Sequence, residues 1–237
     1  MVDKPDFVKA GGDTGFEDMV AQDFVAPFLF ICQANSPYCL PDNQLYNQEA
    51  RPGKIINTLS QKVYDSVHVV PVRYKFKNVV WKPRNIGGGF VASYDRESTP
   101  DKDFTSDPLS GRVKTKDGND VMQTAYYLCL LIEEGNDKVI IGMSSTQLKK
   151  SRQWNALMQS ARDGIDVIPM YATKYVLSTT PESNAKGKWY GWNIQPDGWV
   201  QEELYNMAKE ARQQYVDFLP ERLLATTRQS DEKETPF

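Results

Sequence analysis

The sequence predicts a mainly β fold with helices, on three observations. Val67 to Trp81 is a long run of valines, aromatics and cations with a two-residue period. Val121 to Glu133 is a nearly continuous apolar run. Two stretches of helical period lie after them in the chain.

Taken in order, residues 1–26 read as a flexible acidic arm with Gly11-Gly12-Asp13-Thr14-Gly15 and little periodicity. Phe24 to Cys32 gives the first strand signal, and a polar loop over about 34–53 leads to a short strand, Lys54 to Thr58. After Trp81 a long loop is expected over about 83–118, carrying Gly87-Gly88-Gly89; a loop of this length is usually functional or mobile. Glu134-Gly135-Asn136-Asp137 reads as a hairpin turn, with Lys138 to Met143 as the return strand.

Ser144 and Gln147 have capping-box spacing and open a helix to about Ala161, with Trp154, Leu157, Met158 and Ala161 on one face and Gly164 as its stop. Ile165 to Thr180 reads as a strand region that pairs with Lys188 to Ile194 across Pro181-Glu182-Ser183-Asn184. A last helix runs from about Val200 to Phe218, with Leu204, Met207, Ala208, Ala211 and Tyr215 as its stripe and Pro220 beyond its end. Strands, a helix before the last strand pair and a C-terminal helix match an OB-fold-like barrel, an architecture that binds oligonucleotides. The domain is expected over 27–219, followed by a short tether and an acidic tip over 220–237.

Composition narrows the function. The 237 residues are 40% hydrophobic and 25% charged, ordinary for a globular chain. No apolar run reaches the ~18–20 residues of a membrane span. The start Met1-Val2-Asp3-Lys4-Pro5 lacks the features of a secretory signal, and three cysteines without metal spacing fit a reducing cytoplasm. The net charge of −3 hides an asymmetry: without residues 1–23 and 231–237 the body holds 25 basic and 22 acidic residues. A mildly basic body with acidic ends suits a polyanionic partner.

Catalysis is not indicated. The single histidine, His68, lies in a strand pattern, no cluster has metal-ligand spacing, and the glycine run lacks the Lys-Ser/Thr of a phosphate loop. No cofactor or metal is expected. Binding residues are abundant instead. In Val70 to Lys77 a two-residue period places Val70, Val72, Tyr74 and Phe76 on one face and Arg73, Lys75 and Lys77 on the other, about 7 Å apart. That interval is near the repeat of an extended single strand, although edge strands also carry lysines for solvation. Trp81, Lys82 and Arg84 continue the pattern. A second cluster joins Lys186, Lys188, Trp189, Tyr190 and Trp192 to Tyr171, Lys174 and Tyr175. Aromatics that stack on bases, at ~1–3 kcal/mol per base, together with cations for the backbone, make a sequence-tolerant single-strand site. Period two puts Trp189 opposite Tyr190 and Trp192; which set faces a groove stays open. Lys149, Lys150 and Arg152 could extend a basic rim, but a solvated helix face is the favoured reading.

Asp231, Glu232, Glu234, Pro236 and Phe237 pair an acidic run with a terminal aromatic anchor, a form suited to capture by an apolar, basic-rimmed pocket. This ending resembles the tail of bacterial single-stranded DNA-binding proteins, with Thr235 in place of a hydrophobic residue and Lys233 interrupting the acids. The stretches Pro27 to Pro37, Arg51 to Thr58, Val69-Val70-Pro71-Val72 and Tyr190-Gly191-Trp192 resemble bacteriophage single-stranded DNA-binding proteins encoded near replication genes. The resemblance implies a phage protein with an OB-like fold in replication, recombination or repair, working in the cytoplasm of an infected bacterium. It transfers no contact residues. Its tip would recruit replication or recombination proteins. The rival expectations are an adaptor or inhibitor of a host DNA-processing enzyme that imitates such a tail, and a small nuclease or annealing factor.

Overall fold

The computed structural model describes residues 18, 27–97, 104–106, 113–185, 187–219, 221 and 223–224. Within them lie thirteen strands and two α-helices. A small sheet joins β1 (Leu29–Ile31), β2 (Ile55–Asn57) and β3 (Val63–Tyr64). The main sheet contains β4 (Ser66–Trp81), β5 (Phe90–Asp95), β6 (Phe104–Ser106), β7 (Val113–Thr115), β8 (Asp120–Leu131), β9 (Asp137–Ser144), β12 (Thr173–Asn184) and β13 (Gly187–Trp199). A two-stranded hairpin, β10 (Arg162–Asp163) and β11 (Asp166–Val167), follows helix α1 (Leu148–Ser160); α2 (Glu202–Gln214) follows β13.

The main sheet runs β13-β12-β4-β8-β7-β6, with β5 also on β4 and β9 also on β8. Its pairings are antiparallel. The fold is therefore mainly β with helices, and the described strands form no closed barrel. Helix α1 packs on one sheet face through Trp154 and Met158, with Tyr127, Tyr175 and Trp192. Helix α2 packs on the other through Ala208 and Ala211, with Phe28, Leu128, Phe218 and Leu224. Long apolar strands make sense here because both faces of β8 are covered.

One irregularity reverses the expected faces of β4. The register with β8 shifts between Pro71 and Arg73. Val70 and Val72 enter the α2-side core, whereas Tyr74 and Phe76 pack toward the α1-side core. An extra residue in a period-two strand flips everything after it. Arg73, Lys75 and Lys77 thus share a face with Val70, Val72, Val79 and Trp81, contrary to the alternation read from sequence.

Other boundaries shift for identifiable reasons. The stretch 83–118 is no single loop, for it contributes β5, β6 and β7. The turn between β12 and β13 lies past Asn184, since Pro181 and Glu182 remain paired with Tyr190 and Trp189. Ser144 makes no side-chain cap to α1. Gln147 is used elsewhere: its Oε1 accepts the Trp192 backbone N–H at 2.9 Å. Leu157 and Met207, expected on buried stripes, are exposed.

That glutamine belongs to a set that closes the β13 edge. Gln33 Nε2 donates to Tyr190 O and Gln33 Oε1 accepts the Tyr190 N–H, both at 2.8 Å. Pro196 removes a further donor. These contacts and the missing donor block part of the ladder that another strand would need. Tyr190 also lies on Gly53, whose φ is +90°; a Cβ there would sit 2.6 Å from the ring. The segments Arg51 to Thr58 and Tyr190-Gly191-Trp192 are thus structural partners that tie the small sheet to the main one.

Candidate nucleic-acid interface

Beyond the part of the sheet that α1 covers, the same face opens into a groove. Its floor is Tyr74, Phe76 and Asn78 of β4 with Gln123 of β8. One wall is the first turns of α1, with Leu148, Ser151 and Arg152, and the other is Phe104, Ser106 and Val113 of β6 and β7. Arg96 completes the lining, and the volume is about 480 Å³. The register explains the floor: Tyr74, Phe76 and Asn78 oppose Tyr127, Ala125 and Gln123, so small Ala125 leaves the Phe76 ring open while the Tyr127 ring backs Tyr74.

The rings are held in place. Tyr74 packs on Tyr127 at 5.2 Å, and Tyr94 meets Phe104 edge-on at 6.0 Å. The Tyr127 hydroxyl donates to Asn155 Oδ1 at 2.8 Å and lies 2.7 Å from Ser151 Oγ, which fixes α1 over the sheet. Burial pushes the Tyr127 hydroxyl well above its ordinary range, so it stays a neutral donor. The Arg96 guanidinium lies over Phe76, 3.8 Å from the ring centroid. Among the described residues the lining holds two arginines and no carboxylate. Rings with fixed faces and cations without acids suit a ligand that is flat and anionic.

The residues expected from sequence lie elsewhere. Arg73 Nε donates to Arg212 O at 2.6 Å, Lys75 Nζ is 2.6 Å from Asp217, and Lys77 Nζ is 3.0 Å from Asp95. The stripe faces α2 and its following segment, not the groove. Trp81, Tyr171, Tyr175 and Trp192 are buried in the two cores. Trp189 Nε1 donates to Glu182 Oε2 at 2.8 Å, and Glu182 also binds Lys150 at 3.0 Å. Lys174 pairs with Asp197 at 3.1 Å. Lys82 and Lys188 are exposed. Lys186, the side chain of Arg84 and the tip residues Asp231, Glu232, Glu234, Pro236 and Phe237 lie outside the described residues, as does the arm 1–26 except Asp18.

Sequence reading sets Tyr74 and Phe76 on the face away from the expected binding stripe, places Arg96 and Phe104 in a loop, and offers Arg152 as a basic rim while favouring a solvated helix face. Only the Tyr-x-Phe alternation carried a signal, and the bulge concealed which way it pointed.

A family model described as Pam3 phage gp34-like protein matches residues 1–217. The chain belongs to this family. The Pam3 phage gp34-like match supports a phage protein and names no activity. No curated protein and no solved structure matches the chain. Among the described residues no helix is long and apolar enough to cross a membrane, and no group of three or more His, Cys, Asp or Glu is placed to hold a metal ion.

Proposed function

We propose that this Pam3 phage gp34-like protein binds single-stranded DNA without sequence preference, in phage replication, recombination or repair in the cytoplasm of the infected bacterium. The observation that carries this reading is the groove that brings Tyr74, Phe76 and Phe104 together with Arg96 and Arg152. A base stacks on any aromatic face, and an arginine beside it meets the adjacent phosphate; neither contact reads sequence. The role is one of binding, with no residue assigned to catalysis. The parallel with OB-type binders is in use, a sheet face that holds a strand beside a helix. The acidic tip, Asp231 to Phe237, recruits a replication or recombination protein.

The test is anisotropy of labelled oligo-dT at several salt concentrations, with duplex DNA as competitor. Salt-sensitive binding that prefers the single strand supports the reading; absence of binding at low salt defeats it. The tip is tested by pull-down with and without Phe237. Partner capture with no DNA binding would favour the adaptor reading instead.

A further inference from the structure

On the opposite face of the sheet, two arginines are drawn together by backbone carbonyls that they cap. The register shift at Pro71/Arg73 takes Val72 out of the ladder with β8. Its carbonyl accepts from Arg212 Nη1 at 3.2 Å. In the last turn of α2, the carbonyl of Arg212 lacks an intrahelical donor in the usual way of helix ends. It accepts from Arg73 Nε at 2.6 Å. Arg73 thus caps the Arg212 carbonyl and Arg212 the carbonyl of Val72, the residue before Arg73, so the two guanidinium groups become neighbours.

Among the described residues their charge is left uncompensated. The described ion pairs give Lys75 to Asp217 and Lys77 to Asp95, and no described carboxylate pairs with Arg73 or Arg212. Burial, and then the Arg212 charge, pull the Arg73 guanidinium below its ordinary range. A guanidinium has five N–H donors and these two backbone contacts use one on each, so most of the fork remains. Tyr171 and Tyr205 complete the surroundings. Their rings pack at 5.0 Å, and Arg212 acts electrostatically on Tyr171.

We propose that the Arg73–Arg212 pair, with the Tyr171–Tyr205 ring pair near Arg212, is a phosphate-oxyanion site on the face opposite the groove. Arginine forks match phosphate oxygens bidentately, and one dianion between two guanidinium groups turns their repulsion into attraction. The ligand is either a free phosphate or a phosphate of a bound strand, and the chemistry is shared.

The experiment uses the full chain and inorganic phosphate, against chloride at equal ionic strength, read by thermal melting and by 31P line broadening. Phosphate is expected to raise the melting midpoint of the wild type and to broaden its own resonance. Arg212→Gln and Arg73→Gln are each expected to weaken binding about tenfold or more, the scale of losing a charge-assisted contact. Arg212→Lys, which keeps charge and a donor but not the fork, is expected to fold and still bind phosphate more weakly than wild type. Arg152→Gln, in the groove, is expected to leave the phosphate effect intact, so this site and the groove reading fail separately. Displacement of phosphate by oligo-dT assigns the site to a strand; retention assigns it to a free phosphate. Equal effects of phosphate and chloride on the wild type, or an undiminished 31P effect in both Arg212→Gln and Arg73→Gln, overturn the proposal.

Discussion

Phe76→Ala is the substitution that most directly probes the groove. Phe76 lies on the floor, half-buried, with Arg96 above it. Removing the ring deletes one stacking surface and frees Arg96. A base–aromatic stack is worth ~1–3 kcal/mol, so affinity for oligo-dT is expected to fall about 5- to 150-fold. Arg152→Gln acts differently. It removes one cation, so the slope of log K against log salt should become shallower by about 0.7, the single-strand value per phosphate contact. Lys77→Gln is the control, because Lys77 is engaged with Asp95 on the opposite face; its affinity should stay within about twofold of wild type, as for a surface change far from the bound strand. The assay is anisotropy of labelled oligo-dT at three salt concentrations, with thermal melts to verify folding. Folded Phe76→Ala that binds as wild type, or Lys77→Gln that loses more than Phe76→Ala, would refute the placement of the strand in this groove.

Further outcomes concern stability. Gly53→Ala combines a φ of +90° with a Cβ 2.6 Å from the Tyr190 ring; a loss of about 2 kcal/mol, or about 4–8 °C in Tm, is expected in a melt. Glu134→Gln replaces a nearly buried carboxylate that accepts from Asn57 at 3.1 Å, from Ser60 at 2.8 Å and from the Tyr64 hydroxyl. Bonds to a charged acceptor are worth ~1.5–3 kcal/mol each, so a drop of about 2–3 kcal/mol in urea unfolding is expected; an unchanged midpoint would remove Glu134 as the anchor of the small sheet. Alkaline pH should destabilise the fold. Burial raises Tyr64, Tyr127 and Tyr175 above the ordinary value of 10.0, with the neighbouring Glu134 adding to the rise at Tyr64. The contribution of these hydroxyls is full below pH 10 and is lost as pH rises through the folded values. The urea midpoint is expected to be flat in that respect below pH 10 and to fall above it as tyrosinate absorbance rises; ionisation of Tyr64, Tyr127 and Tyr175 at pH 10 without loss of stability would contradict this.

Tryptophan fluorescence needs care in any binding assay. Trp81, Trp154 and Trp192 are buried, Trp189 is engaged with Glu182, and Trp199 is 59% exposed. A signal from Trp199 reports its own neighbourhood, so Trp199→Phe should be compared with wild type before quenching is read as strand binding.

The elements visible in the sequence are those set by local chemistry. The long strands β4 and β8 follow from sustained runs of valine, isoleucine, leucine and aromatics. The turn at Gly135 and Asn136 follows from residues that accept positive φ, and both adopt it. Helix α1 follows from its period. Three features were decided only by tertiary structure. The bulge at Pro71 to Arg73 determined which face each ring and cation joined, because a strand's period says nothing about a one-residue insertion in its pairing. Strands β5, β6 and β7 formed in a polar, glycine-rich stretch because the ends of β4 and β8 offered them ladders. Gln33 and Gln147 became edge caps through contacts 157 and 45 residues apart. The alternation of Arg73, Lys75 and Lys77 with Tyr74 and Phe76 was written in the sequence. The fold paired two of those cations with carboxylates and Arg73 with a backbone carbonyl, and turned the two rings into the groove, because only packed neighbours decide which face of a two-sided strand stays open.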